Sequence, residues 1–102
     1  MDLKELRRKL DLLRSYDLNN PIHMDDFYDN IYMPVRKAIA NNDKEVIDFI
    51  FNCNAQDQHN LYTAVKAGAI DNQHSNAIEL YEKIRSDNNF KIDDRIGRPV
   101  AV

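Results

Sequence analysis

The chain has 102 residues, a net charge of −3 and a pI of about 5.5, with 43% hydrophobic and 30% charged residues. That length is one domain's worth, and the acidic balance weighs against a protein that wraps nucleic acid. No apolar run approaches the roughly 20 residues of a membrane span.

A single cysteine, Cys53, excludes an internal disulfide, and no secretory leader is read at the start. A reducing cytoplasm, the protein's own or a host's, is therefore expected. Asparagine pairs at Asn19-Asn20, Asn41-Asn42 and Asn88-Asn89 give a bias that accompanies AT-rich genomes, as in many viruses and intracellular bacteria. With two glycines and three prolines, turn signals are sparse, and regularly spaced Leu, Ile and Ala predict an all-α fold. The expectation is a compact bundle or stack of about five short helices. Residues 1–87 read as a single helical domain and residues 88–102 as a partly irregular tail.

From Asp2 to Tyr16 the pattern is helical. Asp2 can cap, Glu5 stands three residues on, and Leu3, Leu6, Leu10 and Leu13 form one stripe, widened by Leu12. The stripe can pack on the rest of the chain or pair with its copy in a homodimer. Asp17 to Pro21 reads as a break. Helical spacing resumes from about Asp25 with Phe27, Ile31 and Tyr32. Pro34 then either kinks this helix or opens a new one, and a new helix from Pro34 to about Asn41 is the preferred reading. Asn42 with Glu45 reads as a capping box before Val46, Ile47, Phe49, Ile50 and Phe51. Asn52 to Asn60 is polar and reads as a loop. Leu61 to Ala67 reads as a helix ended by Gly68 in a left-handed cap. Asp71 to Ser75 reads as a connector, with Ser75 capping a helix through Ile78, Leu80, Tyr81 and Ile84 to about Ser86. Periodicity ends beyond Asp87.

The stretch Pro34-Val35-Arg36-Lys37-Ala38-Ile39-Ala40-Asn41-Asn42-Asp43, with Glu45-Val46-Ile47-Asp48-Phe49-Ile50, resembles the two helices of an ankyrin repeat. Asn54-Ala55-Gln56-Asp57 stands where the inter-repeat loop would be, and Leu61-Tyr62-Thr63-Ala64-Val65-Lys66-Ala67-Gly68 resembles the next first helix. The Thr-Pro-Leu-His signature survives only as Pro34, the loop lacks its glycine, and the units are spaced more closely than the roughly 33-residue ankyrin period. Over residues 34–68 the resemblance implies stacked helical hairpins and a protein-binding role, with the first helix of the chain capping the stack.

Several groupings are candidates for chemistry. Cys53, Asp57 and His59 offer a nucleophile and base or two metal ligands, against a bland reading of a half-buried thiol beside a solvated loop. Asp25, Asp26 and Asp29 with His23 offer divalent-metal or acid–base chemistry, against helix N-terminal charge complementing the macrodipole. Lys4, Arg7, Arg8, Lys9 and Arg14 could grip phosphate, against a solvated helix flank. Tyr28, Tyr32, Tyr62 and Tyr81 can line an interface or simply half-bury their rings. The segment Ile96 to Val102 can add as a strand to a partner or form a loose terminus.

No glycine-rich phosphate loop, Gly-x-Ser-x-Gly, His-Glu-x-x-His or Cys-x-x-Cys occurs, so neither cofactor nor catalysis is expected. The leading expectation is a non-catalytic protein-interaction module, a small viral or bacterial inhibitor or adaptor of a larger enzyme. Its candidate partner-binding residues are Arg7, Arg8, Arg14, Tyr28, Tyr32, Tyr62 and Tyr81. The alternative is a regulator that holds a nucleotide or nucleic acid on the basic first helix at an oligomer interface.

Overall fold

Helical spacing of leucines makes one side of the first helix apolar, and the chain folds with that side inward. The computed structural model describes residues 1–13, 15, 17, 19–86, 90–93 and 98–101. Helix α1 spans Leu3–Leu13, with Asp2 Oδ1 accepting from the Lys4 N–H at 2.8 Å. Leu6, Leu10 and Leu13 are buried and Leu3 is half-buried against the same core. Of the two readings of the stripe, core or homodimer seam, Leu6, Leu10 and Leu13 take the first, because the folded body offers them an apolar surface.

The next helix begins at Pro21, four residues before the expected start at Asp25. Asn20 Oδ1 caps it by accepting from the Ile22 N–H at 3.0 Å, and Pro21 fills the first helical position. Helical backbone then runs unbroken through α2 (Pro21–Phe27), a π turn (Tyr28–Tyr32) and α3 (Met33–Ala40). Pro34 therefore stands in the first turn of α3, close to the expected start, but that turn continues helical backbone from upstream. In a regular helix its ring would strike the carbonyl four residues back. The wider turn just upstream, where the Met33 N–H donates to the Tyr28 carbonyl, reshapes the backbone at that point.

Asn42 closes α3 instead of capping the next helix. Its φ of 57° is left-handed, and the Asn42 and Asp43 N–H groups donate back to the Ile39 and Ala38 carbonyls, the Schellman pattern. Asp43 then opens α4 (Lys44–Asn52), accepting from the Val46 N–H at 3.3 Å. The expected loop 52–60 is mostly helix, because Asn54 caps α5 (Ala55–Asn72) by accepting from the Asp57 N–H at 2.8 Å.

Helix α5 also continues past Gly68 to a left-handed Gln73. Gly68 is there for close approach: a Cβ at this position would lie 2.7 Å from Ile39 Cβ and Cγ2 and 3.0 Å from the Arg36 carbonyl. Helix α6 (Ser75–Arg85) follows with His74 at the cap position in place of Ser75. The His74 side chain does not cap; its Nε2 lies 3.0 Å from the Ala40 carbonyl, closing the α5–α6 link onto the end of α3.

Helices α3 and α4 form one hairpin, α5 and α6 a second, and the hairpins stack with α3 on α5 and α4 on α6. α1 lies against α4 and the π turn. The shared core includes Leu6, Leu10, Ile31, Ile39, Ile47, Ile50, Leu61, Leu80 and Ile84. Taking α2, the π turn and α3 as one rod, the body is five helices, and the fold class is all-α as the sequence predicts. In the tail, β1 (Phe90–Asp93) pairs antiparallel with β2 (Arg98–Ala101), Phe90 opposite Ala101, and β2 lies along α5.

Candidate docking surface

The helical rod from Pro21 to Ala40 turns Phe27, Ile31, Val35 and Ile39 into the core. Its outer side carries the most exposed large hydrophobic among the described residues, Ile22 at 70%, together with Tyr28 at 50% and Met33 at 39%. Tyr28 and Tyr32 stack, ring centroids 5.1 Å apart at 15° between planes, so the π turn presents an ordered aromatic pair with one member well exposed. Arg36 reaches from this side to Asp71 of α5 at 2.6 Å. The Asp71 carboxylate, and then Tyr32, hold the Arg36 guanidinium above its usual pKa. An open groove lined by Asp29, Met33, Pro34, Arg36, Lys37 and Asp71 runs beside the pair.

Asp25, Asp26 and Asp29 are exposed on the same rod. Because the helix starts at Pro21, Asp25 and Asp26 stand beyond its first turn, and its N-terminal partial charge does not account for them. Among the described residues no cation pairs with any of the three, and no group of three or more His, Cys, Asp or Glu side chains is arranged to hold a metal ion. His23, which the sequence groups with these carboxylates, accepts from the Asp17 N–H through Nδ1 at 2.9 Å.

The other expected sites resolve differently. Arg7 is engaged within the chain: its Nη1 donates to Asp57 Oδ2 at 2.7 Å, and its guanidinium lies 5.1 Å from the centre of the Phe49 ring. The hydrogen bond from Arg7 to Asp57, outweighing partial burial, raises the Arg7 pKa. Arg8 pairs with Glu5 one turn away along α1, and Arg14 lies outside the described residues. The tail segment expected to add as a strand lies partly outside them, with 98–101 paired to β1.

Cys53 is half-buried and its Sγ donates to the Ile50 carbonyl at 3.2 Å. Burial, then the neighbouring Asp57 carboxylate, push its thiol up to about 11, so it stays protonated near neutrality. Tyr62 and Tyr81 meet at 5.8 Å where α5 packs on α6, with Tyr62 buried. Burial, then the bond with Tyr81, push Tyr62 up to about 12. Tyr81, like Tyr32, is half-buried against the core, so of the four candidate tyrosines Tyr28 is the exposed one.

Sequence reasoning missed the polar run Asp57-Gln58-His59-Asn60, all four residues of which are buried. It forms a junction between helices. Gln58 Nε2 donates to the Ile50 and Phe51 carbonyls at 3.0 and 3.2 Å, and Lys83 Nζ reaches the Phe51 carbonyl at 3.0 Å. Two of the carbonyls left over at the end of α4, those of Ile50 and Phe51, are thereby satisfied, and the Lys83 charge suits that helix end. The signal in the sequence was Asn54 followed by Asp57, a cap with an acidic residue three positions on. A second apolar surface, Ile70 and Ile78 with Tyr81, lines a shallow groove between α5 and α6.

Among the described residues no helix is long and apolar enough to cross a membrane. No protein-family model, curated protein or solved structure matches the chain.

Proposed function

We propose that this chain is a non-catalytic protein-interaction module that docks through the outer face of the Pro21–Ala40 rod. The observation that carries the reading is the stacked Tyr28–Tyr32 pair on a π turn, with Tyr28 exposed, between Ile22 and Met33. Tyrosine offers a large contact area with few rotors and a polar tip, which suits interfaces. π turns inside helices are frequent at functional sites. The groups best suited to chemistry have structural tasks: Asp57 holds Arg7, and Cys53 is kept as a thiol.

In this reading the protein acts in a cytoplasm, its own cell's or a host's, as an inhibitor or adaptor of a larger protein. A homodimer would have to use a surface other than the leucine stripe. The nucleotide or nucleic-acid alternative has less support, since Arg7 is spent on Asp57 and Arg8 pairs with Glu5.

The test is an affinity pull-down from lysate of the source cells at low and high salt, comparing wild type, Tyr28→Ser and Ile70→Ser. One specific protein, kept at both salts, lost with Tyr28→Ser and kept with Ile70→Ser, is the expected result. Capture of nucleic acid or a small molecule alone, released at high salt, would move the site to the basic side of α1.

A further inference from the structure

We infer that the partner docks on this face through a cationic amphipathic segment, with lysine or arginine set among apolar side chains. The inference rests on the docking reading above and adds the chemical class of what is docked. It follows from an electrostatic imbalance that the helix boundary creates.

Asp25 and Asp29 are four residues apart, and Asp26 and Asp29 three, so all three carboxylates crowd one side of the rod. Like charges at these spacings destabilise a helix. Three compensations are ordinarily available: a helix N-terminus, a cation on the same or a neighbouring element, and a bound metal. Pro21 at the first helical position leaves Asp25 and Asp26 outside the first turn. No described cation pairs with any of the three, and their side chains are not grouped to hold a metal. Among the described residues nothing pairs with the three carboxylates, so a local repulsion is left there.

The same side of the rod carries the exposed apolar anchors Ile22, Tyr28 and Met33. Arg36 and Lys37 line the groove beside Asp29, but Arg36 is held by Asp71, and the three carboxylates outnumber Lys37. A surface that is at once apolar and net negative is complementary to a segment that is apolar and positive. The cation would lie over the carboxylates and the tyrosine faces, while its aliphatic neighbours cover Ile22 and Met33. The Ile70–Ile78 groove has no such cluster: its lining carries one carboxylate, Glu82, and that already pairs with Arg85.

The experiment uses the full chain, labelled with ¹⁵N, and two synthetic helical peptides. They share one leucine pattern and carry lysine or glutamate at every other position. Amide spectra locate binding, and thermal unfolding is measured on wild type and on the triple variant Asp25→Asn, Asp26→Asn, Asp29→Asn. The lysine peptide is expected to shift signals between Ile22 and Met33. Its affinity should fall at least about threefold in the triple variant, as loss of three surface charge contacts implies, and fall again as salt rises. The triple variant should unfold at the same or a higher temperature than wild type, since it removes repulsion.

Lysine-peptide binding elsewhere on the chain, or equal binding to the triple variant, would overturn the inference. So would a triple variant clearly less stable than wild type, because the carboxylates would then be compensated in the free chain. Binding of the glutamate peptide on this face would overturn the cationic class and leave the docking reading standing. Failure of the docking reading itself shows separately, as a captured protein indifferent to Tyr28→Ser.

Discussion

Arg7 and Asp57 stand 50 positions apart in sequence and meet at 2.7 Å, Nη1 to Oδ2, tying α1 to the first turn of α5. Asp57 is fully buried, while the Arg7 side chain is 39% exposed and lies over Phe49. Removing the cation strands a buried carboxylate. Arg7→Met is expected to cost about 2–3 kcal/mol, less than the ~3–5 kcal/mol of a fully buried pair because the guanidinium keeps contact with water. Arg7→Met with Asp57→Leu should recover at least half of that loss, since an apolar pair of similar volume replaces the ion pair. Urea unfolding of the single and double variants measures both, and a single variant as stable as wild type would refute the role given to Arg7.

Gly68 lets α5 lie against α3 at Ile39. In an open helix, Gly→Ala stabilises by about 1 kcal/mol. Here the added Cβ would fall 2.7 Å from two Ile39 carbons close to the backbone, and 3.0 Å from the Arg36 carbonyl, none of which can swing away. Gly68→Ala is expected to destabilise by about 1–2 kcal/mol net. A raised melting temperature would mean the crossing is looser than described.

The end of α4 is satisfied from outside itself. Gln58→Leu removes the donor to the Ile50 and Phe51 carbonyls in a buried setting and should cost about 1–3 kcal/mol. Lys83→Met removes a more exposed donor to Phe51 and should cost less, about 0.5–1 kcal/mol. The order of the two effects, read by chemical denaturation, is the check; a larger loss for Lys83→Met would reverse the assignment.

Cys53 and Tyr62 both favour their protonated forms in the folded chain, held up to about 11 and about 12 from ordinary values of 9.0 and 10.0. Each contributes stability that is complete below pH 9. Above it the unfolded chain loses its protons first, and the contribution disappears as pH climbs through 11 and then 12. Thermal stability is expected to fall across this alkaline window, and Cys53→Ala should flatten its lower part. At pH 8 only about one thiol in a thousand is ionised, so alkylation of the folded chain should be far slower than that of the unfolded chain. Rapid alkylation at pH 8 without unfolding would refute the shift.

Local spacing made part of this protein readable in advance. Leu6, Leu10 and Leu13 on α1, and Val46, Ile47 and Ile50 on α4, are buried as their periodicity predicts. Side chains three and four apart share a face in any helix, whatever it packs against. The Asp2 cap was legible for the same reason, since donor and acceptor lie within one turn. The tyrosines were legible as a set, but not that Tyr62 is buried and Tyr28 exposed with Tyr32 and Tyr81 between, because neighbours from other elements decide burial.

What the sequence alone determined is therefore the all-α class and the inward faces of its strongest helices, because those depend on residues within a turn or two of one another. Only the tertiary structure decided where helices cross boundaries that local rules would draw. Asp57 to Asn60 read as a solvated loop until Arg7 and the carbonyls of α4 gave buried partners to Asp57 and Gln58. Gly68 read as a stop signal until Ile39 filled the space a side chain would need. Pro34 read as the start of a separate helix, and it does stand in the first turn of α3, but a π turn joins α3 to the helix upstream. In each case the deciding contact comes from chain that local spacing does not reach, or from a backbone adjustment that no periodicity records.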